Sequence, residues 1–164
     1  MRRTMLVGLG LMLLWFCFLS NACHPTQTPQ FALYLADTGE LAISEVDIQS
    51  YESATHTIKL NDSGIARVNS LDTPAGRVYP PSGIFAHDFV MKIRGQEVCR
   101  GHFNSALSSM LFTGVTIVGL GLPMSDEYNQ LWITAEYPDG YAGNTYPYLY
   151  AQLNDIFRQL ELLH

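Results

Sequence analysis

Five histidines are the first candidates for chemistry, because imidazole serves both as a metal ligand and as a general base near neutral pH. None of them has the spacing of the paired ligands in a His-x-x-x-His zinc helix, so the sequence predicts no metal site. Each is better explained as a hydrogen-bonded core or edge residue. If the strands that carry His87 and His102 pair in register, these two side chains could meet, and the sequence leaves this open. The five are His24, His56, His87, His102 and His164.

Serines near residue 105 could supply a nucleophile to a Ser/His/Asp arrangement in which Asp88 orients a histidine. No Gly-x-Ser-x-Gly sequence surrounds them, and any chain of 164 residues contains such residues by chance. Cys99 lies in a strand candidate, where a half-buried thiol is ordinarily inert. We therefore assign no catalytic residue and no cofactor. A hydrolase that uses Ser105, Ser108 or Ser109 is the alternative function.

The segment from residue 137 to residue 148 contains four tyrosines among turn-forming residues. Loops of this composition bind sugars or protein partners, because a tyrosine ring offers both an apolar face and a hydroxyl. The alternative is that the rings fold back over the sheet edge and close the core. The candidate partner or ligand residues are Tyr137, Tyr141, Tyr146 and Tyr148.

The N-terminus is organised like an export signal. Arg2 and Arg3 precede an uncharged apolar run from Met5 to Leu19, and small residues follow before Cys23. The run of 15 residues is shorter than the roughly 20 that a membrane-spanning helix needs. Cleavage after this segment is therefore expected, with an uncleaved anchor as the alternative.

The Ala22-Cys23 junction resembles a bacterial lipobox, in which the cysteine after the cleavage site receives diacylglycerol. It departs from the usual pattern because Leu19 lies four positions before Cys23 rather than three, and Asn21 is bulkier than the preferred residue. A polar, proline-containing stretch follows and suits a flexible tether. The sequence thus predicts a signal peptide over 1–22, a tether over 23–30 after a lipidated Cys23, and one domain over 31–164. Ordinary secretion with cleavage nearby is the alternative.

This anchor implies a location in the cell envelope, on the non-cytoplasmic side of a bacterial membrane. The residue after Cys23 is not aspartate, which resembles outer-membrane sorting if the host is Gram-negative.

Hydrophobic residues make up 48% of the chain and charged residues 15%, which excludes a disordered chain. A net charge of −6 with only two lysines excludes a nucleic-acid partner held by a basic surface. Loss of two of the nine basic residues with the signal leaves seven against 15 acidic ones, a net charge of −8.

Apolar and alternating segments predict roughly six strands, the longest over 84–94 and followed by a type II′ turn at Gly95-Gln96. Ser44 and Asp47 form a capping-box pattern that predicts a short turn, and Asn61 caps a predicted helix. A second helix begins at Tyr146-Pro147. Its apolar stripe comprises Leu149, Leu153, Ile156, Phe157 and Leu160. Strands followed by helices predict an α+β fold, an antiparallel sheet with two helices on one face.

The run over 47–112 resembles a family of uncharacterised bacterial secreted proteins and lipoproteins. The resemblance depends on Asp-Ile-x-x-Tyr over 47–51, His-x-Ile-x-Leu over 56–60, a strand–Gly–strand over 93–103 and the pair Ser108-Ser109. The same order is similar to the periplasmic head of the SecD translocase subunit. It implies a ferredoxin-like or split-βαβ fold over about half of the mature chain. It implies no translocase role, because fold analogy does not establish function.

These observations predict a membrane-tethered envelope lipoprotein whose folded part is a non-enzymatic binding or accessory domain. Its expected partners are the membrane, through the lipid on Cys23, and an envelope protein or glycan.

Overall fold

The computed structural model describes residues 28–72, 83–121, 123–137 and 146–164. The predicted signal peptide, Cys23, most of the tether and Tyr141 lie outside these ranges. The described part contains eight strands and two helices. The strands are β1 (Phe31–Leu35), β2 (Leu41–Ser44), β3 (Ile48–Glu52), β4 (Thr57–Leu60), β5 (Asp88–Ile93), β6 (Gln96–Ser105), β7 (Phe112–Gly119) and β8 (Gln130–Tyr137). The helices are α1 (Asp62–Ser70) and α2 (Pro147–Gln159).

All eight strands form one sheet in the order β2-β1-β5-β6-β7-β8-β4-β3. Every neighbouring pair is antiparallel except β6 and β7, which are parallel. The predicted α+β class with one sheet and two helices is confirmed. The prediction of a purely antiparallel sheet was wrong at the β6–β7 pair, and β2 was missed because its four residues are too few for alternation to be recognised.

The sheet is curled, and chain connectivity explains why. β2 and β3 occupy opposite edges, yet only the 3₁₀ turn Glu45–Asp47 separates them in the chain. At this turn, which we call the closed corner, the Asp47 carboxylate is fully buried. It accepts hydrogen bonds from Ser44 N at 2.9 Å and Ser44 Oγ at 3.0 Å, and from Arg67 Nε at 3.0 Å. The predicted capping box is therefore present, and it joins the two sheet edges.

Helix α1 packs directly on the closed corner. Asn61 caps it as predicted, since its Oδ1 accepts a hydrogen bond from Gly64 N at 3.0 Å. A Cβ added to Gly64 would lie 2.3 Å from the carbonyl oxygen of Asp47, so only glycine allows the helix to come this close.

Helix α2 fills the concave face between the two sheet edges. Its buried residues are Leu149, Leu153, Ile156 and Phe157, so four members of the predicted stripe are confirmed as core. The Phe157 ring lies 4.9 Å from the Phe31 ring of β1 and 4.4 Å from the Tyr51 ring of β3. Because β1 and β3 come from opposite halves of the sheet, α2 stabilises the curl by bridging them.

The β5–β6 hairpin differs from its prediction in two respects. β5 begins at Asp88 rather than at residue 84, because Gly83–Ala86 forms a 3₁₀ turn. The turn residues are Arg94 and Gly95, with φ of 51° and 78°, which is the type I′ geometry rather than type II′ at Gly95-Gln96. Met91 pairs with Cys99 but Lys92 pairs with Glu97, so Val98 is the extra residue of a β-bulge.

Candidate functional site

A two-lobed groove lies between α2 and the first half of β6. One lobe has a volume of about 410 Å³ and the other about 420 Å³, and Val98 and Gln152 line both. The groove follows the bulge at Val98, where β6 departs from regular pairing. Volumes of this size are typical of small-molecule and peptide sites. The groove is therefore the principal candidate for ligand binding in the described part of the chain.

Two of the four predicted tyrosines meet at the first lobe. Tyr146 is half-buried and packs against the core at the start of α2, whereas Tyr148 is 84% exposed at the rim. Tyr137 ends β8, but its side chain is not among those described, and Tyr141 lies outside the described residues. Of the two described rings, Tyr146 therefore packs back on the core, as the second alternative expected. Tyr148 is exposed, as binding to a partner would require.

The second lobe has a polar rim formed by a chain of hydrogen bonds. Arg94 Nη2 donates to Gln159 Oε1, and Gln159 Nε2 donates to Asp155 Oδ2 at 3.1 Å. These contacts fix the positions of a guanidinium and a carboxylate beside the groove. The sequence analysis did not identify the polar residues of this lobe. Gln152 and Asp155 lie on the polar face of α2, opposite its apolar stripe, and this helical pattern is the signal that could have identified them.

Cys99 lines the first lobe without the properties of a nucleophile. Its Sγ lies 3.9 Å from Met91 Sδ on the neighbouring strand. Burial, and to a smaller extent the negative charge of Glu97, raises the pKa of the Cys99 thiol to about 12. Since the thiolate is the reactive form, this burial disfavours a nucleophilic role for Cys99.

The outer face of the sheet has a smaller cavity of about 190 Å³ beside a histidine–aspartate pair. His102 Nδ1 lies 2.5 Å from Asp88 Oδ1, and the Phe112 ring packs 4.8 Å from the imidazole. Asp88 opposes His102 in the register, so the pairing of His87 with His102 that the sequence left open does not form. A carboxylate and the imidazole that it orients are two of the three groups of a catalytic triad, but no described hydroxyl or thiol is hydrogen-bonded to His102.

His87 is buried and used for structure. Its Nδ1 lies 3.0 Å from both carboxylate oxygens of Asp37, and its Nε2 lies 2.8 Å from the carbonyl oxygen of Asp72. All three partners are acceptors, so only the doubly protonated ring donates to both sides. Burial acts to raise the pKa of Asp37, but the hydrogen bond from His87, together with backbone hydrogen bonds, holds it below the ordinary value. The pair joins the β1–β2 turn to the entry of β5.

His56 joins the β3–β4 hairpin to α2. Its Nδ1 lies 2.8 Å from the Tyr51 hydroxyl, and its ring stacks on Tyr150 with centroids 3.7 Å apart. Burial lowers the pKa of His56 and raises that of Tyr51. His56 and His87 are therefore hydrogen-bonded core or edge residues.

The serines of the alternative function form turn contacts. Ser105 Oγ accepts a hydrogen bond from Leu107 N at 3.2 Å, and Ser108 Oγ accepts one from Met110 N at 3.2 Å. Within the described ranges, neither hydroxyl is hydrogen-bonded to a histidine. Their geometry is that of side chains that cap a turn, not of activated nucleophiles.

No described group of three or more His, Cys, Asp or Glu residues is arranged to hold a metal ion. Within the same ranges, neither helix combines the length and the apolar character that crossing a bilayer requires. Comparison with protein-family models, with curated proteins and with solved structures found no match to this chain.

Proposed function

We propose that the protein is a membrane-tethered envelope lipoprotein whose domain over 31–164 has a non-enzymatic binding or accessory role. Support for the anchor comes from the sequence alone: a basic start, an apolar run too short to span a bilayer, and Ala22 before Cys23. The lipid places the domain on the non-cytoplasmic side of a bacterial membrane, and at the outer membrane if the host is Gram-negative. More than one acyl chain is needed for stable anchoring, which diacylglycerol on Cys23 supplies.

The binding role depends on one observation, the groove between α2 and β6. It combines an apolar floor that includes Val98 and Leu149, an aromatic rim at Tyr148 and polar groups at Gln152 and Asp155. A recognition site usually has an apolar floor and a small number of precisely placed polar groups around it. An envelope protein or glycan is the proposed occupant class. The hydrolase alternative has no comparable support, since the described hydroxyl contacts of Ser105 and Ser108 are with the backbone.

The ferredoxin-like or split-βαβ topology, and the relationship to the SecD head that implies it, belong to the same proposal. The chain over 48–105 forms two antiparallel strands, then a helix, and then a hairpin with glycine at its turn. This order of elements supports the proposed relationship to the SecD head. An experimental structure of a member of that family with the same strand order would support the relationship, and a different order would exclude it.

The lipid claim is tested by metabolic labelling with palmitate. We expect the wild-type protein to incorporate label and Cys23→Ala to incorporate none, because Cys23 is the proposed attachment site. Cys99→Ala is the matched control and should label like the wild type. Equal labelling of wild type and Cys23→Ala would end the lipoprotein proposal.

The groove is tested by filling it. Gln152 lines both lobes from the exposed side of α2, so Gln152→Trp should obstruct the groove without disturbing the core. We expect this variant to lose most of its crosslinked partner or bound glycan when the tethered protein is isolated from its own envelope. Ala151→Trp is the matched control, since Ala151 is exposed on the same helix and lines neither lobe. Equal recovery with both variants would contradict the groove as the binding site.

A further inference from the structure

The parallel pairing of β6 with β7 covers only the second half of β6. It begins at Gly101, which pairs with Val115, and continues to Ser105. Residues 96–100, apart from the bulge at Val98, pair with β5 on one side, and on the other side no described strand pairs with them. We call this unpaired side of residues 96–100 the open edge. Its five residues extend about 17 Å, which is long enough for a short strand to pair with it.

Exposure changes at the point where the pairing of β6 and β7 begins. In β7, the residues from Val115 onward are buried, whereas residues 112–114 are exposed or half-buried. In β6, residues 96–100 are exposed or half-buried, and Gly101 is buried. Gly114 has a φ of 106°, and the register between β7 and β8 shifts beside it. The first residues of β7 therefore do not continue the ladder along the open edge.

Backbone hydrogen bonds determine which groups of β6 face the open edge. Phe103 N donates to His87 O at 3.0 Å, on the side of β5, and Ala106 N donates to Gly119 O at 2.7 Å, on the side of β7. Successive residues of a strand direct their N–H groups to opposite sides, so Arg100 N–H points to the side of β7. The ladder with β7 has ended at this position, so Arg100 N–H lies at the open edge without a partner on any described strand.

The open edge forms one wall of the groove, and α2 forms the other. The first lobe is lined by Val98, Cys99 and Arg100 of β6 and by Tyr148 and Leu149 of α2. A ligand in this lobe therefore meets a backbone donor beside apolar and aromatic side chains. An extended peptide fits this arrangement, because it adds carbonyl groups to a sheet edge while alternate side chains enter a pocket. Carbonyl and amide groups at strand spacing are a property of polypeptides, which favours a protein over a glycan as the occupant.

We propose that the groove binds an extended segment of another envelope protein, which adds to the open edge of β6 as a further strand. This inference rests on the proposed binding role of the groove and names the class of its partner. A carbonyl of the segment accepts a hydrogen bond from Arg100 N, and an apolar side chain of the segment enters the first lobe against Val98 and Leu149. Its polar side chains meet Gln152 and Asp155 in the second lobe.

The first measurement is amide hydrogen exchange, followed by NMR on the full-length chain in detergent micelles. We expect Arg100 N–H to exchange quickly, because no described strand accepts a hydrogen bond from it. Phe103 N–H should exchange slowly, because it is bonded to His87 O inside the sheet. Slow exchange at Arg100 would show that the edge is already paired within the chain, and this result overturns the proposal.

The second measurement uses peptides as the probe. Random peptides displayed on phage are selected on the same full-length chain, and the most enriched sequence is synthesised. Arg100→Pro removes the N–H at a position where proline is tolerated, since the N–H faces away from β5. We expect this variant to bind the peptide about tenfold more weakly or worse, as for the loss of one hydrogen bond. Arg100→Ala is the matched control, because it loses the same side chain but keeps the N–H, and it should bind like the wild type.

N-methylation of the synthetic peptide gives a readout that does not depend on the folding of a variant. Because successive residues of a strand face opposite sides, N-methyl groups should abolish binding at alternate positions and have little effect at the positions between them. A peptide that tolerates N-methylation throughout, equal binding by Arg100→Pro and Arg100→Ala, or a selection that enriches no peptide overturns strand addition.

The binding role of the groove is judged separately by the tryptophan variants. If Gln152→Trp lowers recovery of the envelope partner relative to Ala151→Trp while strand addition fails, the groove binds a ligand of another class and only this inference is overturned. Equal recovery by the two tryptophan variants overturns both proposals.

Discussion

His87 and His102 each contact an aspartate, but the two pairs differ in their surroundings. The side chain of His87 is 3% exposed, and both of its ring nitrogens have described partners. The side chain of His102 is 36% exposed, and its described hydrogen bond uses only Nδ1. The first ring is therefore fixed as part of the fold, whereas the second remains open to solvent beside a cavity.

The carboxylates show the same contrast. Asp47 is fully buried at the closed corner and accepts hydrogen bonds from Ser44 and Arg67, whereas Glu97 is exposed and pairs with Arg100 on its own strand at 2.8 Å. Loss of one partner from a buried pair leaves the other groups desolvated and unsatisfied, but exposed groups turn back to water. The comparison teaches that burial, more than the pair itself, determines which charges support the fold.

The largest effect is expected at the closed corner. Asp47→Ala should lower the free energy of unfolding by about 3 kcal/mol, because Ser44 N, Ser44 Oγ and Arg67 lose their shared acceptor. Urea denaturation measures this change. Glu97→Ala is the matched control and should leave the midpoint unchanged, since Glu97 is exposed. Similar midpoints for the two variants would refute the distinction between buried and exposed pairs.

The two histidines offer a smaller and sharper test. His87→Leu should lower the free energy of unfolding by about 2 kcal/mol, because the buried ring is lost together with its hydrogen bonds to the Asp72 carbonyl and the Asp37 carboxylate. His102→Leu should cost less than about 1 kcal/mol, as for other exposed pairs. Thermal unfolding of both variants at pH 7 makes the comparison. If His102→Leu lowered the free energy of unfolding more than His87→Leu, His102 and not His87 would be the ring that supports the fold.

Much of the fold could be predicted because local signals agree with the tertiary structure. The apolar stripe of α2, the Asn61 cap and the Ser44 capping box depend on residues at most four positions apart. The parallel β6–β7 pair and the curl of the sheet could not be predicted in this way. They depend on contacts between residues far apart in the chain, such as Phe31 with Phe157.

The partner of His102 shows how one residue changes a site. A two-residue turn at Arg94-Gly95 with regular pairing beyond Ile93 and Gln96 would place His102 opposite His87. The bulge at Val98 shifts the register by one, so Asp88 opposes His102 instead. Val98 has no sequence feature that marks a bulge. The groove could not be predicted from the sequence for the same reason, because it forms where the bulge and α2 meet.

The smallest effect concerns His56, which lies between the buried and exposed cases. Its pKa is lowered by burial, so the folded state favours the neutral ring, which can accept a hydrogen bond from Tyr51. The contribution to stability is therefore fully present above the unfolded pKa of about 6.5 and is lost as the pH falls through the lower folded value. We expect the free energy of unfolding to decrease between pH 7.5 and about pH 5, measured by urea denaturation. His56→Gln retains a side chain that can accept from Tyr51 but does not titrate, so its decrease should be smaller. If the two proteins lose stability equally over this range, His56 does not belong with the buried groups, and its stacking on Tyr150 leaves the ring accessible to protons.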